Sequence, residues 1–253
     1  MFDAHVHIID PRFPLIANEG FVPAPFTIAD YTARMGSELS GSPYGGVVGG
    51  TVVSGSFQGT DQTYLTAALA ELGPSWVGVT QLPLNATDDD ILALDAAGVR
   101  GMRFNLRRAA IDIVAMTQHA IRAYDLVGWH VEMYVDGSTI ASLEPVVAKL
   151  PLLCVDHLGM SEEGLPTVLR MVERGLRVKA SGFGRLENLD IADALTRVHA
   201  VNPGALIFGA DLPAARAARA FRRQDIDLIA DVVGDDLPRV LADNALDFYR
   251  RIP

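Results

Sequence analysis

A chain of 253 residues can bury one sizeable core, and a single α/β barrel fits that length as well as two smaller domains. Lysine and arginine number 21 against 31 aspartate and glutamate, a net charge of -10, which argues against nucleic acid or an anionic membrane as partner. The one cysteine, Cys154, cannot form an intramolecular disulfide and sits in an apolar run, as expected of a reduced thiol in a cytoplasmic protein. With neither a basic-then-apolar leader nor an apolar stretch of spanning length, secretion and membrane insertion are not expected.

In chain order, short β-branched runs alternate with amphipathic stretches. Strands are predicted at residues 2–8, 46–54, 76–81, 99–104, 130–135, 152–156, 177–181 and 205–209. Helices are predicted at 28–39, 61–72, 88–97, 111–127, 138–149, 165–173, 189–199 and 214–233, with a closing helix at 236–249 carrying Pro238 near its first turn. About eight β-then-α units of about 30 residues are the cadence of a (β/α)8 TIM barrel spanning 1–253 as one domain, with a doubly wound open sheet as the alternative. His5, His7, Ser56, Arg103, Tyr134, His157, Arg185 and Asp211 fall at or just past the C-terminal ends of different strands, where barrel enzymes keep their active sites.

The first strand carries His5 and His7 on alternate residues, so both imidazoles project to one face. Imidazole is a common metal ligand and general base, although His-x-His alone is also met in ordinary solvated strands.

Six segments in order, Asp3-Ala4-His5-Val6-His7, residues 55–61, Gly101-Met102-Arg103-Phe104-Asn105, Val155-Asp156-His157-Leu158-Gly159, residues 178–182 and residues 208–213, resemble signatures of the amidohydrolase-related branch of the amidohydrolase superfamily. Residues 243–249 resemble that branch's closing helix. In metal-dependent relatives the paired histidines, a fifth-strand histidine and an eighth-strand aspartate hold a divalent ion, with a sixth-strand histidine near the activated water. Here the fifth-strand position is Tyr134. A catalytic zinc usually has three protein ligands and an open position. His5, His7 and Asp211 alone imply a weaker site for zinc or manganese, and no metal is expected to be required. His130 lies four residues earlier and reads as a structural histidine at the barrel bottom.

Tyr134 with Arg103, Ser56, His157, Arg185 and Asp211 is similar to the pattern of 2-pyrone-4,6-dicarboxylate lactonases and related sugar lactonases, some of which work without metal. That resemblance implies a hydrolase opening a small carboxylated lactone. Asp211 would take a proton from water, while His157, His5 and His7 polarise the carbonyl. Arg103 and Arg185, with Arg108, Tyr134 and Ser56, would hold an anionic substrate. The stretch after Pro11 offers few polar contacts for the pyrone dicarboxylate itself, and only one of Arg107 and Arg108 is expected at the mouth. A metal-dependent amidohydrolase or nonoxidative decarboxylase, and a catalytically silent ligand-binding barrel, stay open as alternatives, as does the oligomeric state.

His119 and His199 read as ordinary helix residues, Asp88-Asp89-Asp90 as a run favourable to a helix start, and Arg216, Arg219, Arg222 and Arg223 as a solvated helix face.

Overall fold

The computed structural model describes residues 1–107 and 112–249. Eight parallel strands, β1 (Phe2–Val6), β2 (Gly49–Val53), β3 (Trp76–Thr80), β4 (Val99–Asn105), β5 (His130–Tyr134), β6 (Leu153–Val155), β7 (Arg177–Ala180) and β8 (Leu206–Phe208), pair in sequence order. Helices α1 (Ile28–Glu38), α2 (Thr63–Leu72), α3 (Asp88–Ala96), α4 (Ile113–Val127), α5 (Gly137–Val147), α6 (Leu165–Val172), α7 (Ile191–Val201) and α8 (Gln224–Val233) follow the strands, and α9 (Asn244–Tyr249) ends the described chain. This is the (β/α)8 barrel that the sequence cadence predicts. Short polar caps set the helix starts: Thr27 and Thr87 each form a reciprocal cap with an aspartate three residues on, and Asp112, Asp136 and Asp190 accept backbone N–H groups.

The ring closes just beyond β8, where the Asp211 N–H donates to the His5 carbonyl at 2.7 Å and the His7 N–H to the Leu212 carbonyl at 2.8 Å. Gly209 lies against β1 at this seam, and a Cβ there would stand 2.7 Å from the Cβ of His5. Closure therefore brings the eighth-strand aspartate beside the first-strand histidines.

Alternation separates two cores. Residues such as Val52, Met102, Phe104, Val131, Met133 and Val155 pack outward under the helices. Val53, Val79, Cys154 and Ile207 fill the barrel with Phe2 and Ala4, closed from below by Phe248 and Tyr249 of α9. In β1 the pairing register shifts between Asp3 and Val6. Asp3 is taken by the Tyr31 hydroxyl of α1 at 2.8 Å, while His5 and His7 face the site.

One helix begins later than its pattern predicts. Residues 214–223 form turns and bends rather than the start of α8. Ala214 and Arg216 both have φ of 65°, which no right-handed helix accommodates, and the Ala218 N–H is drawn to the Gly184 carbonyl at 3.0 Å. Arg216 and Arg219 are thus not on a solvated helix face: Arg219 pairs with Asp225, and Arg216 reaches the barrel mouth.

Gly101 pairs with His130 across β4 and β5, and the imidazole lies directly over it, itself wedged against Phe248 and Tyr249 at centroid distances of 4.6 and 5.1 Å. Gly101→Ala should therefore destabilise the barrel by about 1–3 kcal/mol through overpacking. Gly36→Ala, in open space within α1, should stabilise it by about 0.5–1 kcal/mol. Urea denaturation midpoints of the two variants, read against the parent, check both signs.

Candidate active site

A pocket opens at the C-terminal ends of the strands, lined by His7, Ser56, Arg103, Tyr134, His157, Arg185 and Asp211 among others. Seven residues expected at the site from sequence thus share one wall. His5 lies behind it, fully buried and absent from the lining. Arg108 falls outside the described residues, and Arg107 is exposed and does not line the pocket.

The centre is one carboxylate oxygen. Asp211 Oδ1 faces the Nε2 atoms of His5, His7 and His157 at 3.7, 3.9 and 3.9 Å. It is buried and accepts no hydrogen bond, whereas Oδ2 takes two from Arg185, at 2.8 Å from Nε and 2.5 Å from Nη2. His5 Nε2, Arg103 Nε, Asn105 Oδ1 and Asp156 Oδ1 are likewise buried without a hydrogen-bond partner. Buried polar atoms are rarely left so, and three of these five belong to residues that line the pocket, Arg103, Asn105 and Asp211. Both Asp211 and His157 also hold left-handed backbone, at φ of 55° and 53°, a strain that tends to cluster at functional sites.

Beneath the pocket lies a charge network to which the sequence reading assigned no role. Lys179 Nζ contacts Glu132 Oε2 at 2.5 Å, Asp156 Oδ1 at 3.6 Å and His5 Nδ1 at 3.1 Å, all fully buried. Glu132 Oε1 also receives the Tyr249 hydroxyl at 2.6 Å and approaches His130 Nε2 at 3.3 Å, which makes His130 the structural histidine expected of it. Arg103 donates to Asp156 Oδ2 at 2.9 Å and to the Ser54 carbonyl at 2.8 Å, and lies 5.1 Å over the Tyr134 ring. The available signal was a lysine alternating with apolar neighbours in β7, and a glutamate doing the same in β5.

Burial dominates the titration of the site. It lowers His7 to about 3 and, with Lys179 beside His5 and Arg185 beside His157, holds both of those rings well below the ordinary imidazole range. It raises the Asp211 carboxyl above the ordinary range, opposed by Arg185. Burial also pushes Asp156 up, but His5, Lys179 and Arg103 outweigh it and keep Asp156 ionised.

The rings' hydrogens follow from their partners. An ammonium only donates, so His5 Nδ1 accepts from Lys179 and Nε2 carries the hydrogen toward Asp211. His7 Nδ1 donates to the Val53 carbonyl at 2.7 Å, which leaves a lone pair on Nε2. The two histidines therefore present different atoms toward Asp211, an N–H from His5 and a lone pair from His7.

His5, His7 and Asp211 have ligand atoms within 4.8 Å of one another, a spacing that fits a divalent cation. To coordinate, His5 would have to move its hydrogen to Nδ1, facing Asp156 Oδ1 at 3.4 Å instead of accepting from Lys179.

Eight parallel strands with histidines and an aspartate gathered at their C-terminal ends form a barrel with a candidate active site at the face where barrel enzymes keep theirs. The chain belongs to the amidohydrolase family, whose model matches residues 2–251. It is 28% identical over 163 residues to a 2-pyrone-4,6-dicarboxylate hydrolase of Comamonas testosteroni, an alignment covering 62% of this chain and 51% of that protein. The chain thus spans about half the length of that curated relative. The fold is shared with an Acinetobacter baumannii protein described as a probable 2-pyrone-4,6-dicarboxylic acid hydrolase, solved with citric acid bound. The TM-score is 0.82 and the identity 18% over 98% of both chains. A Pseudomonas putida protein of similar description aligns with a TM-score of 0.80 and 22% identity over 98% of this chain and 97% of its own. Among the described residues no helix is long and apolar enough to cross a membrane.

Lys179→Met would strand Glu132 without its cation and leave Asp156 with Arg103 alone of its two cationic partners, and should cost about 3–5 kcal/mol of stability. Adding Glu132→Gln should recover part of that loss. Denaturant titration of the single and double variants reads the coupling.

Proposed function

We propose that the protein hydrolyses a small carboxylated lactone, with Asp211 as the base that activates water and with no obligatory metal. The observation that carries this is the unpartnered Asp211 Oδ1 at the meeting point of three imidazoles on the pocket wall. The descriptions of the Comamonas and Acinetobacter relatives support the substrate class.

A water between Asp211 Oδ1 and His7 Nε2 finds two acceptors, which aim its lone pair into the pocket. As water attacks the ester carbonyl, its proton passes to Asp211 Oδ1 and the carbonyl electrons move to oxygen. Ser181 Oγ, 2.9 Å from His157 Nδ1, donates there and leaves His157 Nε2–H free for the developing oxyanion, with Tyr134 and Arg103 on the same wall. Collapse breaks the bond to the ring oxygen, which takes the proton, and a hydroxy acid leaves. His5 acts one step back: its Nε2–H faces Asp211 and orients the base. Arg185, bonded to Oδ2, keeps Oδ1 as the reacting atom. Ser56 and Arg108 complete the proposed substrate contacts.

Tyr134 at the fifth-strand ligand position and Lys179 on His5 Nδ1 favour a reaction without an ion. The metal-dependent reading, as a hydrolase or nonoxidative decarboxylase, keeps one observation in its favour, the spacing of His5, His7 and Asp211. A zinc or manganese held there would supply an acidified water and a Lewis acid. The buried, unpaired Cys154 agrees with a cytoplasmic setting.

Asp211→Asn preserves shape and tolerates the left-handed backbone, so the variant should fold normally yet lose 10²- to 10⁴-fold in kcat, roughly the range for a general base. The pH profile carries the sign. The base must be ionised, so parental kcat/KM should fall as pH drops through the raised Asp211 pKa. No further step is expected near pH 6.5, about the ordinary imidazole value, because burial keeps the three rings neutral. Near-parental turnover by the Asn variant, or an acid limb that persists in its residual activity, would remove Asp211 from this role.

Prolonged dialysis against a strong chelator should leave lactonase turnover intact. Complete loss with recovery on adding zinc or manganese would establish the metal-dependent reading instead.

A further inference from the structure

Among the described residues three arginines line the pocket of this acidic protein, and they differ in what holds their charge. Arg103 is paired with Asp156 at side-chain exposures of 4% and 0%. Arg185 is paired with Asp211 at 11% and 1%. Separating either pair would break a buried, hydrogen-bonded ion pair, which is strongly unfavourable. Each of these arginines still offers free N–H groups, but each arrives with its charge neutralised.

Arg216 is placed otherwise. Its partner Glu19, at 2.9 Å, is 58% exposed, so water screens the pair and little is lost when it parts. The guanidinium does not depend on Glu19 for its position. It lies 4.5 Å over the Phe21 ring and donates to the Asn18 carbonyl, and Phe21 itself lines the pocket. The loop beneath is fixed by the left-handed turn at Arg216 and by the tie from Ala218 to Gly184. The result is a positioned cation at the pocket rim whose present counter-ion a ligand can replace at small cost.

We infer that Arg216 is the anion-recognition residue of this pocket, taking the substrate carboxylate that lies farthest from the reacting ester in exchange for Glu19. This inference rests on the proposed carboxylated substrate, and it assigns the charge selectivity to the rim rather than to the two buried arginines.

Calorimetric titration with succinate and tricarballylate tests it without any turnover, with dimethyl succinate as the uncharged control. The parent protein should bind the polycarboxylates and not the diester. Arg216→Met should weaken that binding at least tenfold, and Arg216→Lys should restore part of it. Glu19→Gln should strengthen it several-fold by removing the competing anion. On a carboxylated lactone, the Met variant should raise KM far more than it lowers kcat. Unchanged polycarboxylate binding by Arg216→Met, no binding by the parent, or weaker binding by Glu19→Gln would each overturn the assignment. If the calorimetric pattern holds while no lactone is hydrolysed, the proposed reaction fails and the anion site stands. Normal lactone turnover with an indifferent Arg216→Met gives the reverse.

Discussion

The seam between the first strand and the chain just beyond the eighth is the constraint on which the rest depends. Two backbone hydrogen bonds close the barrel there, and both involve residues of the site: Asp211 donates to His5, and Leu212 accepts from His7. The same contact that completes the sheet fixes a carboxylate oxygen 3.7–3.9 Å from two imidazoles. Fold and site cannot be loosened separately. The absent side chain of Gly209, beside His5, permits that approach.

Below the seam, a buried charge network underlies the candidate site. Lys179 is compensated by Glu132 and Asp156, and its ammonium settles which nitrogen of His5 carries hydrogen. Arg103 shares Asp156 with it and stands under Tyr134. Such pairs are costly to bury and contribute little net stability compared with a well-packed apolar core. What they accompany here is a fixed arrangement: imidazoles kept neutral and one carboxylate oxygen left without a hydrogen bond. Tyr249 of the closing helix reaches into this network through Glu132, so the last helix of the described chain braces the floor of the site.

The rim obeys a different physics. It is made of the segment around Asn18 to Phe21 and the irregular stretch before α8, joined by Arg216. The ion pair there, Arg216 with the exposed Glu19, is screened by water and weak.

The sequence by itself determined the barrel. Eight β-branched runs, spaced by amphipathic helices with aspartate and threonine caps, carry local preferences that tertiary packing had no reason to overrule, and the strand positions follow from them closely. Alternation along β1 already set His5 and His7 on one face, and Arg103, Tyr134, His157, Arg185 and Asp211 were visible as polar residues where apolar strands end. Tertiary structure alone decided how they pair, because that depends on contacts between residues far apart in the chain. The hydrogen on His5 is set by a lysine 174 positions away. The register shift in β1 turns Asp3 outward to Tyr31. Residues 214–223, helical by pattern, are pulled into turns by the end of β7, so an arginine that reads as surface ornament stands at the pocket mouth. Periodicity records which face of an element is apolar; it carries no record of what that face will meet once the ring is closed.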